Sequence, residues 1–175
     1  EVLLAVGCAD EAYRGYAIEA NQGPSRLATF RAIARKYPHK DGAAVLRDLI
    51  ESTPGDEGKW FATARALGLF ELAVQLAHRS PCDPKTLNRA ARDHATTDPA
   101  FAHEVALASL RWLAEGWGYE ITGLEVLAAY EAATKAAEAL GCEEATRARL
   151  LVLVEGDRSP GAFVRQVLRS RLGLA

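Results

Sequence analysis

The sequence lacks methionine altogether, has only three cysteines and contains no long apolar run. Cys8, Cys82 and Cys142 are an odd number of cysteines at wide spacings, which is typical of reduced thiols and not of a disulfide framework. No apolar run approaches the roughly 20 residues that span a bilayer, and no basic segment followed by an apolar one opens the chain. We therefore expect a cytoplasmic protein that makes no membrane contact.

The chain also lacks an excess of either charge. Its 175 residues carry a formal net charge of -2, which gives no general attraction to nucleic acid or to anionic membranes. Aromatic residues make up only 7% of the chain, but apolar residues make up 49%, which is enough to form a hydrophobic core. This composition excludes an intrinsically disordered chain and favours one globular domain.

No stretch has the alternating pattern of a strand, and capping residues before proline mark helix starts. Four such pairs occur, namely Thr53-Pro54, Asp83-Pro84, Asp98-Pro99 and Ser159-Pro160. Thr122 and Glu125 have the spacing of a capping box. The pattern predicts helices at about residues 1–6, 10–20, 25–37, 41–52, 55–67, 69–79, 84–96, 99–115, 123–140, 143–155 and 160–172.

The stretch from Asp98 to Gly118 is the most apolar long segment of the chain. Apolar side chains cover most of its helical surface, and the polar residues Glu104, Arg111 and Glu115 occupy one narrow face. A helix with so wide an apolar surface packs on more than one neighbour. We therefore expect this helix at the centre of an all-α fold.

Aromatic residues also lie near the end of this central helix. Trp112, Trp117 and Tyr119 cluster around one turn, where they would either anchor a partner or close the end of the core. We expect that they close the core. Tyr16 and Leu67, which share helical faces with other apolar residues, are likewise expected to face inward.

Two predicted turns share a pattern in which a glycine is followed by small and aromatic residues at helical spacing. They are Gly7 with Ala12 and Tyr16, and Gly68 with Phe70, Ala73 and Ala77. The pattern resembles the turn and second helix of a tetratricopeptide repeat. This resemblance implies antiparallel helical hairpins stacked as a short α-solenoid of about 10 or 11 helices, with residues 1–175 forming a single helical-repeat domain.

The stretch from Phe30 to Asp93 contains RKYPHK, TPGDEGKWF and SPCDPKTLNRAARD. In these segments it also looks like bacterial helical proteins of unassigned function, and this likeness implies no activity. The chain begins at Glu1, and its first residues, EVLLAVG, have the pattern of the end of a helix. We therefore expect the chain to be the C-terminal part of a longer protein.

No set of residues has the spacing of a known catalytic or metal site. His78, Cys82 and Asp83 are close enough in sequence to share a metal ion, but zinc needs three or four ligands and no second pair lies at suitable spacing. His103-Glu104 begins like the zinc-binding HExxH motif, whose second histidine is absent. We therefore expect no cofactor, no metal and no catalytic residue.

Basic residues form stripes on predicted helices. Lys85, Arg89 and Arg92 recur at i, i+4 and i+7 on one helix, and Arg31 and Arg35 form a pair on an earlier helix. Such stripes are usually solvated surface, but equivalent helices of a curved array line one concave face. We predict that these five residues share an exposed surface that faces an acidic partner.

These observations favour a non-enzymatic helical-repeat module that binds a protein or peptide, with an acidic segment on the cationic surface. One alternative is a nucleic-acid-associated helical domain whose arginines contact phosphates. Another is a fragment of an enzyme, because catalytic groups can assemble only in the folded chain. The sequence does not identify the partner or the oligomeric state.

Overall fold

The computed structural model describes residues 7–155 and 161–174. These residues form ten α-helices and no strand, so the predicted all-α class is confirmed. In chain order the helices are α1 (Ala9–Tyr16), α2 (Arg26–Lys36), α3 (Gly42–Glu51), α4 (Phe61–Ala66), α5 (Phe70–Arg79), α6 (Pro84–His94), α7 (Pro99–Ala114), α8 (Gly123–Leu140), α9 (Glu143–Val154) and α10 (Ala162–Leu172). Two short 3-10 helices, Glu19–Asn21 and Glu57–Trp60, precede α2 and α4.

Most helices have the predicted bounds to within a few residues. The predicted helix at residues 1–6 lies outside the described residues. The prediction of one helix over residues 10–20 is wrong at its end, because α1 stops earlier and a separate 3-10 helix follows. The prediction over 55–67 is wrong at its start, because the backbone N–H of Gly58 donates to Ser80 Oγ at 2.7 Å and not to a helix carbonyl.

Capping side chains fix several helix starts where the sequence predicts them. Asp83 and Asp98 each accept a hydrogen bond at 3.0 Å from a backbone N–H in the first turn of their helix, and Thr122 belongs to the predicted capping box. The predicted start at Thr53 is wrong, because its hydroxyl donates to carbonyls of the last turn of α3. The pair Ser159-Pro160 lies outside the described residues.

Helix α7 lies at the centre of the fold, as predicted. Of its 16 residues 12 are buried, and the helix packs on α5, α6, α8, α9 and α10. Glu104 and Arg111 remain partly exposed on the narrow polar face. Although α7 is strongly apolar, none of the helices in the described ranges combines the length and hydropathy of a membrane span.

Helix α1 packs through its small residues. Ala12 and Ala17 are buried, and the Tyr37 hydroxyl donates to the carbonyl oxygen of Ala12 at 3.2 Å. Tyr16, one turn after Ala12, is nevertheless 60% exposed, and the predicted burial of Tyr16 is wrong. The predicted burial of Leu67 is also wrong, because this residue follows α4 in the turn that leads to α5 and is 38% exposed.

Candidate partner-binding surface

Three of the five predicted partner-binding residues lie together on α6. Lys85, Arg89 and Arg92, here called the cationic stripe, are exposed. The opposite face of the helix, which carries Leu87, is buried against α7 and α8. The predicted opposition of a basic and an apolar face on this helix is therefore confirmed.

Most of the charge on the stripe has no counter-ion within the described part of the chain. Asp93 Oδ1 lies 3.6 Å from Arg92 Nη2, and the other oxygen of Asp93 lies 3.5 Å from Arg65 Nη1. Lys85 and Arg89 form no ion pair with any described residue. Two of the three basic groups are thus available to an external anion.

The remaining two predicted residues, Arg31 and Arg35, lie on α2 and are also exposed. Helix α2 packs on α3, α4 and the two 3-10 helices, whereas α6 packs on α7 and α8. The two helices share no extended interface among the described residues. A common surface for all five basic residues therefore stays a prediction.

A cluster of exposed apolar side chains lies at the C-terminal end of α7. Trp112 is buried and donates its indole N–H to the carbonyl oxygen of Ala77 at 2.7 Å. Trp117 is 50% exposed and Tyr119 is 78% exposed. The prediction that these three aromatic residues close the core is therefore right for Trp112 and wrong for the other two.

The loop after α7 turns the two aromatic side chains outward. Gly116 has a φ of 87°, and its N–H and that of Trp117 bond back to Leu113 and Trp112, which is the Schellman arrangement that ends a helix. Glu120 has a φ of 48°, a left-handed conformation that is uncommon for residues other than glycine. The loop therefore reverses the chain tightly after α7.

Two further exposed apolar residues adjoin this loop. Leu124, at the start of α8, is 76% exposed, and Phe163, at the start of α10, is 52% exposed. A Cβ built on Gly123 would lie 3.7 Å from Phe163 Cζ, so the starts of α8 and α10 are in contact. We call Trp117, Tyr119, Leu124 and Phe163 the aromatic corner.

The start of α10 is fixed against the end of α7. A Cβ built on Gly161, whose φ is 81°, would lie 2.0 Å from the carbonyl oxygen of Ala114. The buried side chain of Arg165 donates to the same oxygen at 2.9 Å. This close packing holds Phe163 at the end of the molecule where the loop after α7 begins.

The aromatic corner adjoins the first residues of the cationic stripe. A Cβ built on Gly118 would lie 3.4 Å from Pro84, the first residue of α6. One turn further on, the Asn88 side chain donates to the backbone carbonyl of Glu125 at 2.9 Å. Hydrogen bonds from Thr122 lower the pKa of the Glu125 carboxyl, and the positive charge of Lys85 lowers it further.

A separate ionic network joins α5, α7 and α9. Arg149 donates two hydrogen bonds to the Glu104 carboxylate, at 2.6 and 3.0 Å. His78 Nε2 lies 3.1 Å from the same carboxylate, and His103 Nδ1 lies 3.4 Å from it. Hydrogen bonds from His103, His78 and Arg149 hold the pKa of the Glu104 carboxyl far below its usual range.

The network gives His78 a partner other than Cys82. His78 turns towards Glu104 instead, and burial raises the pKa of the Cys82 thiol to about 12, which disfavours the thiolate that binds metals. Arg149 occupies both oxygens of Glu104. Among the described residues, no group of three or more histidine, cysteine, aspartate or glutamate side chains is arranged to hold a metal ion.

No protein-family model, no curated protein and no solved structure matches the chain. The function must therefore be inferred from the geometry of the surface and the chemistry of its side chains.

Proposed function

We propose that the chain is a non-enzymatic helical module that binds an acidic segment of another protein. The proposed site consists of the cationic stripe and the aromatic corner. The observation that supports it is the meeting of unpaired basic side chains and exposed large apolar side chains at one end of α6. A contiguous exposed apolar patch bordered by polar groups is typical of a docking site.

The aromatic corner is suited to anchor a partner. Tryptophan and tyrosine dominate the binding energy of many interfaces, because they bury a large area and lose little conformational entropy. Trp117 and Tyr119 lie on the tight loop between α7 and α8, in which Gly116, Gly118 and Glu120 have positive φ values. Their burial by a partner would release water from apolar surface.

The cationic stripe specifies the charge of the partner. Its three side chains extend over two turns of α6, roughly 10 Å along the helix axis. Acidic side chains at helical spacing, or on alternate residues of an extended segment, would match this length. We therefore propose an acidic segment that also carries leucine or aromatic residues, which would pack on the corner.

A protein segment fits this surface better than a nucleic acid does. The chain has a net charge of -2, and Asp83, Asp93 and Glu120 are exposed on or beside the same elements. A continuous phosphate backbone would meet these carboxylates, whereas a peptide can place neutral residues opposite them. Nucleic-acid binding through the arginines is therefore the alternative that the experiment below tests.

We also propose that the helices are stacked as tetratricopeptide-like hairpins. In support, Gly7 and Gly68 adopt positive φ values of 81° and 74° at the turns before α1 and α5. The small residues that follow them, Ala12 and Ala73, are buried. Such residues let neighbouring helices approach closely, as stacked hairpins require.

The binding proposal can be tested with a defined probe. A fluorescein-labelled peptide in which glutamate alternates with leucine and phenylalanine would be titrated with the protein and followed by fluorescence anisotropy. We expect it to bind at least about tenfold more tightly than the same peptide with glutamine in place of glutamate, which corresponds to about 1.4 kcal/mol. Oligothymidylate of equal length is the nucleic-acid arm.

Two double variants separate the parts of the surface. Lys85→Glu with Arg89→Glu should weaken binding about tenfold at low salt and flatten its salt dependence. Trp117→Ser with Phe163→Ser should weaken it about 30-fold, the loss of roughly 2 kcal/mol that is typical of an anchor. A third double variant, Arg35→Glu with Arg89→Glu, tests whether α2 belongs to the same surface. If it does, the double variant should bind the peptide more weakly than Arg89→Glu alone.

Matched controls lie elsewhere on the molecule. Lys135 is exposed on α8, roughly 18 Å along the helix from Gly123, and Tyr16 is exposed on α1. Lys135→Glu and Tyr16→Ser should leave binding unchanged. The proposal would be refuted if the stripe and corner variants bind the peptide as tightly as the parent protein does. It would also be refuted if the oligonucleotide binds more tightly than the peptide and with a steep salt dependence.

A further inference from the structure

A pocket of about 250 Å³ lies between the end of α5, the C-terminal half of α7 and the second half of α9. Three basic and three apolar side chains form its wall. They are His78, Leu107, Arg111, Arg149, Val152 and Leu153. We propose that this pocket binds an aliphatic carboxylate, that is, a short branched carbon chain that ends in a carboxylate group.

The first basic group of the pocket is held in place from two sides. Arg111 donates to Glu115 Oε1 at 2.9 Å and to the backbone carbonyl of His78 at 3.0 Å. Its guanidinium also lies 4.4 Å from the ring centroid of Trp112. Because the side chain is already ordered, a ligand that binds it loses little affinity to the entropy of fixing it.

The second guanidinium, Arg149, is oriented by its two hydrogen bonds to Glu104. The same carboxylate also contacts His78 and His103. A guanidinium has about five N–H groups, and Arg111 and Arg149 each use two of them in these contacts. Both therefore retain N–H donors, and arginine donors match the geometry of a carboxylate.

The other side of the pocket is apolar. Leu107 is nearly inaccessible, whereas Val152 is 69% exposed at the rim. At about 30 Å³ per water-sized group, the pocket has room for roughly eight non-hydrogen atoms. A branched acid such as 4-methylpentanoate has this size, and its methyl groups would cover Val152 and Leu153 while its carboxylate faces the arginines.

Two sources can supply this chemistry, a free short-chain acid and the carboxyl terminus of a peptide that ends in leucine. Inorganic phosphate shares the charge but has no group to fill the apolar side. The amide of the acid shares the shape but has no charge. These compounds therefore separate the two requirements of the proposed site.

The test is a calorimetric titration of the full chain with 4-methylpentanoate. We expect a Kd of about 1 mM or tighter, the affinity that small ligands of about eight non-hydrogen atoms reach when they fill a pocket. Acetate, phosphate and 4-methylpentanamide should each bind at least about tenfold more weakly. A tetrapeptide that ends in leucine is titrated with its C-terminal carboxyl group either free or amidated. The affinity of the peptide with the free carboxyl group, compared with that of 4-methylpentanoate, identifies the source.

Val152→Glu is the decisive variant, because it places a carboxylate at the rim on an exposed position where the fold should tolerate it. It should weaken binding of the acid at least tenfold, about 1.4 kcal/mol, whereas Val152→Gln should change it about twofold. Arg111→Gln is the second variant, accepted only if its thermal melt matches the parent.

Equal affinity of the acid and the amide would overturn this proposal. Equal affinity of Val152→Glu and Val152→Gln for the acid would do so as well, as would the absence of binding at about 20 mM acid. The Val152→Glu protein should still bind the acidic peptide at the stripe and corner. Failure of the pocket is thereby distinguished from failure of the proposed protein-binding function.

Discussion

The contact between Gly161 and the end of α7 gives a sharp prediction about stability. Replacing Gly161 by alanine adds one carbon atom at a position where φ is 81°. A left-handed conformation costs an alanine roughly 1–2 kcal/mol. The added Cβ would also lie 2.0 Å from the carbonyl oxygen and 2.6 Å from the carbonyl carbon of Ala114, so the backbone itself must move.

The movement has a further cost. To reach ordinary van der Waals contact, the start of α10 must withdraw by more than about 1 Å, and the hydrogen bond of 2.9 Å from Arg165 to Ala114 would lengthen. Weakening a hydrogen bond to a buried charged group costs about 1–3 kcal/mol. We therefore expect Gly161→Ala to lower the free energy of unfolding by about 2–5 kcal/mol, the sum of these two contributions.

Gly173→Ala is the matched control. Gly173 ends the same helix with a φ of 72°, and a Cβ built on it meets nothing within 4 Å. Gly173→Ala should lower the free energy of unfolding only by the roughly 1–2 kcal/mol of the left-handed conformation. Urea denaturation followed by circular dichroism measures both variants. If Gly161→Ala is no more destabilising than Gly173→Ala, the close packing of α10 on α7 is incorrect.

Three further substitutions test other parts of the fold. Leu110→Asp should lower the free energy of unfolding by more than about 4 kcal/mol or prevent folding, because it buries an unpaired charge in α7. A thermal melt measures this effect. Thr122→Ala should cost about 1 kcal/mol through loss of the capping box, with faster hydrogen exchange at Leu124. Glu104→Gln should cost about 1–2 kcal/mol at pH 7. Because the pKa of Glu104 is lowered in the folded state, this cost should fall as the pH drops below about 4.3.

The helices could be predicted because their signals are local. Asp83 and Asp98 precede prolines and cap the helices that the sequence assigns to them. The predictions failed where a distant contact replaces a local one. Gly58 is such a case, because its N–H is taken by Ser80, 22 residues away.

The same distinction applies to the candidate site. The stripe on α6 was predictable, since helical spacing alone determines that Lys85 and Arg89 lie opposite Leu87. The exposure of Trp117 and Tyr119 depends on the direction of a loop between two helices, which spacing does not give. The composition of that loop, Gly116 to Glu120 with glycine at alternate positions, was a signal for a solvent-exposed turn.

The ionic network could not be predicted from the sequence for a different reason. His78, Glu104 and Arg149 come from three helices and are separated by 26 and 45 residues, so no motif of fixed spacing contains them. The sequence made His78 a neighbour of Cys82, four residues away, but the helix ends between them at Arg79. Only the packing of α5 and α9 on α7 decides which side chains share a carboxylate.

The two parts of the proposed surface should differ in kinetics as well as in chemistry. Lys85 and Arg89 act on an acidic segment over a distance of about 8 Å in physiological salt, so their reversal should mainly lower the association rate. Trp117 and Phe163 act only after contact, so their loss should mainly raise the dissociation rate. Because equilibrium affinity mixes the two effects, rate measurements at several salt concentrations distinguish a surface that uses both parts from one in which the stripe is merely solvated.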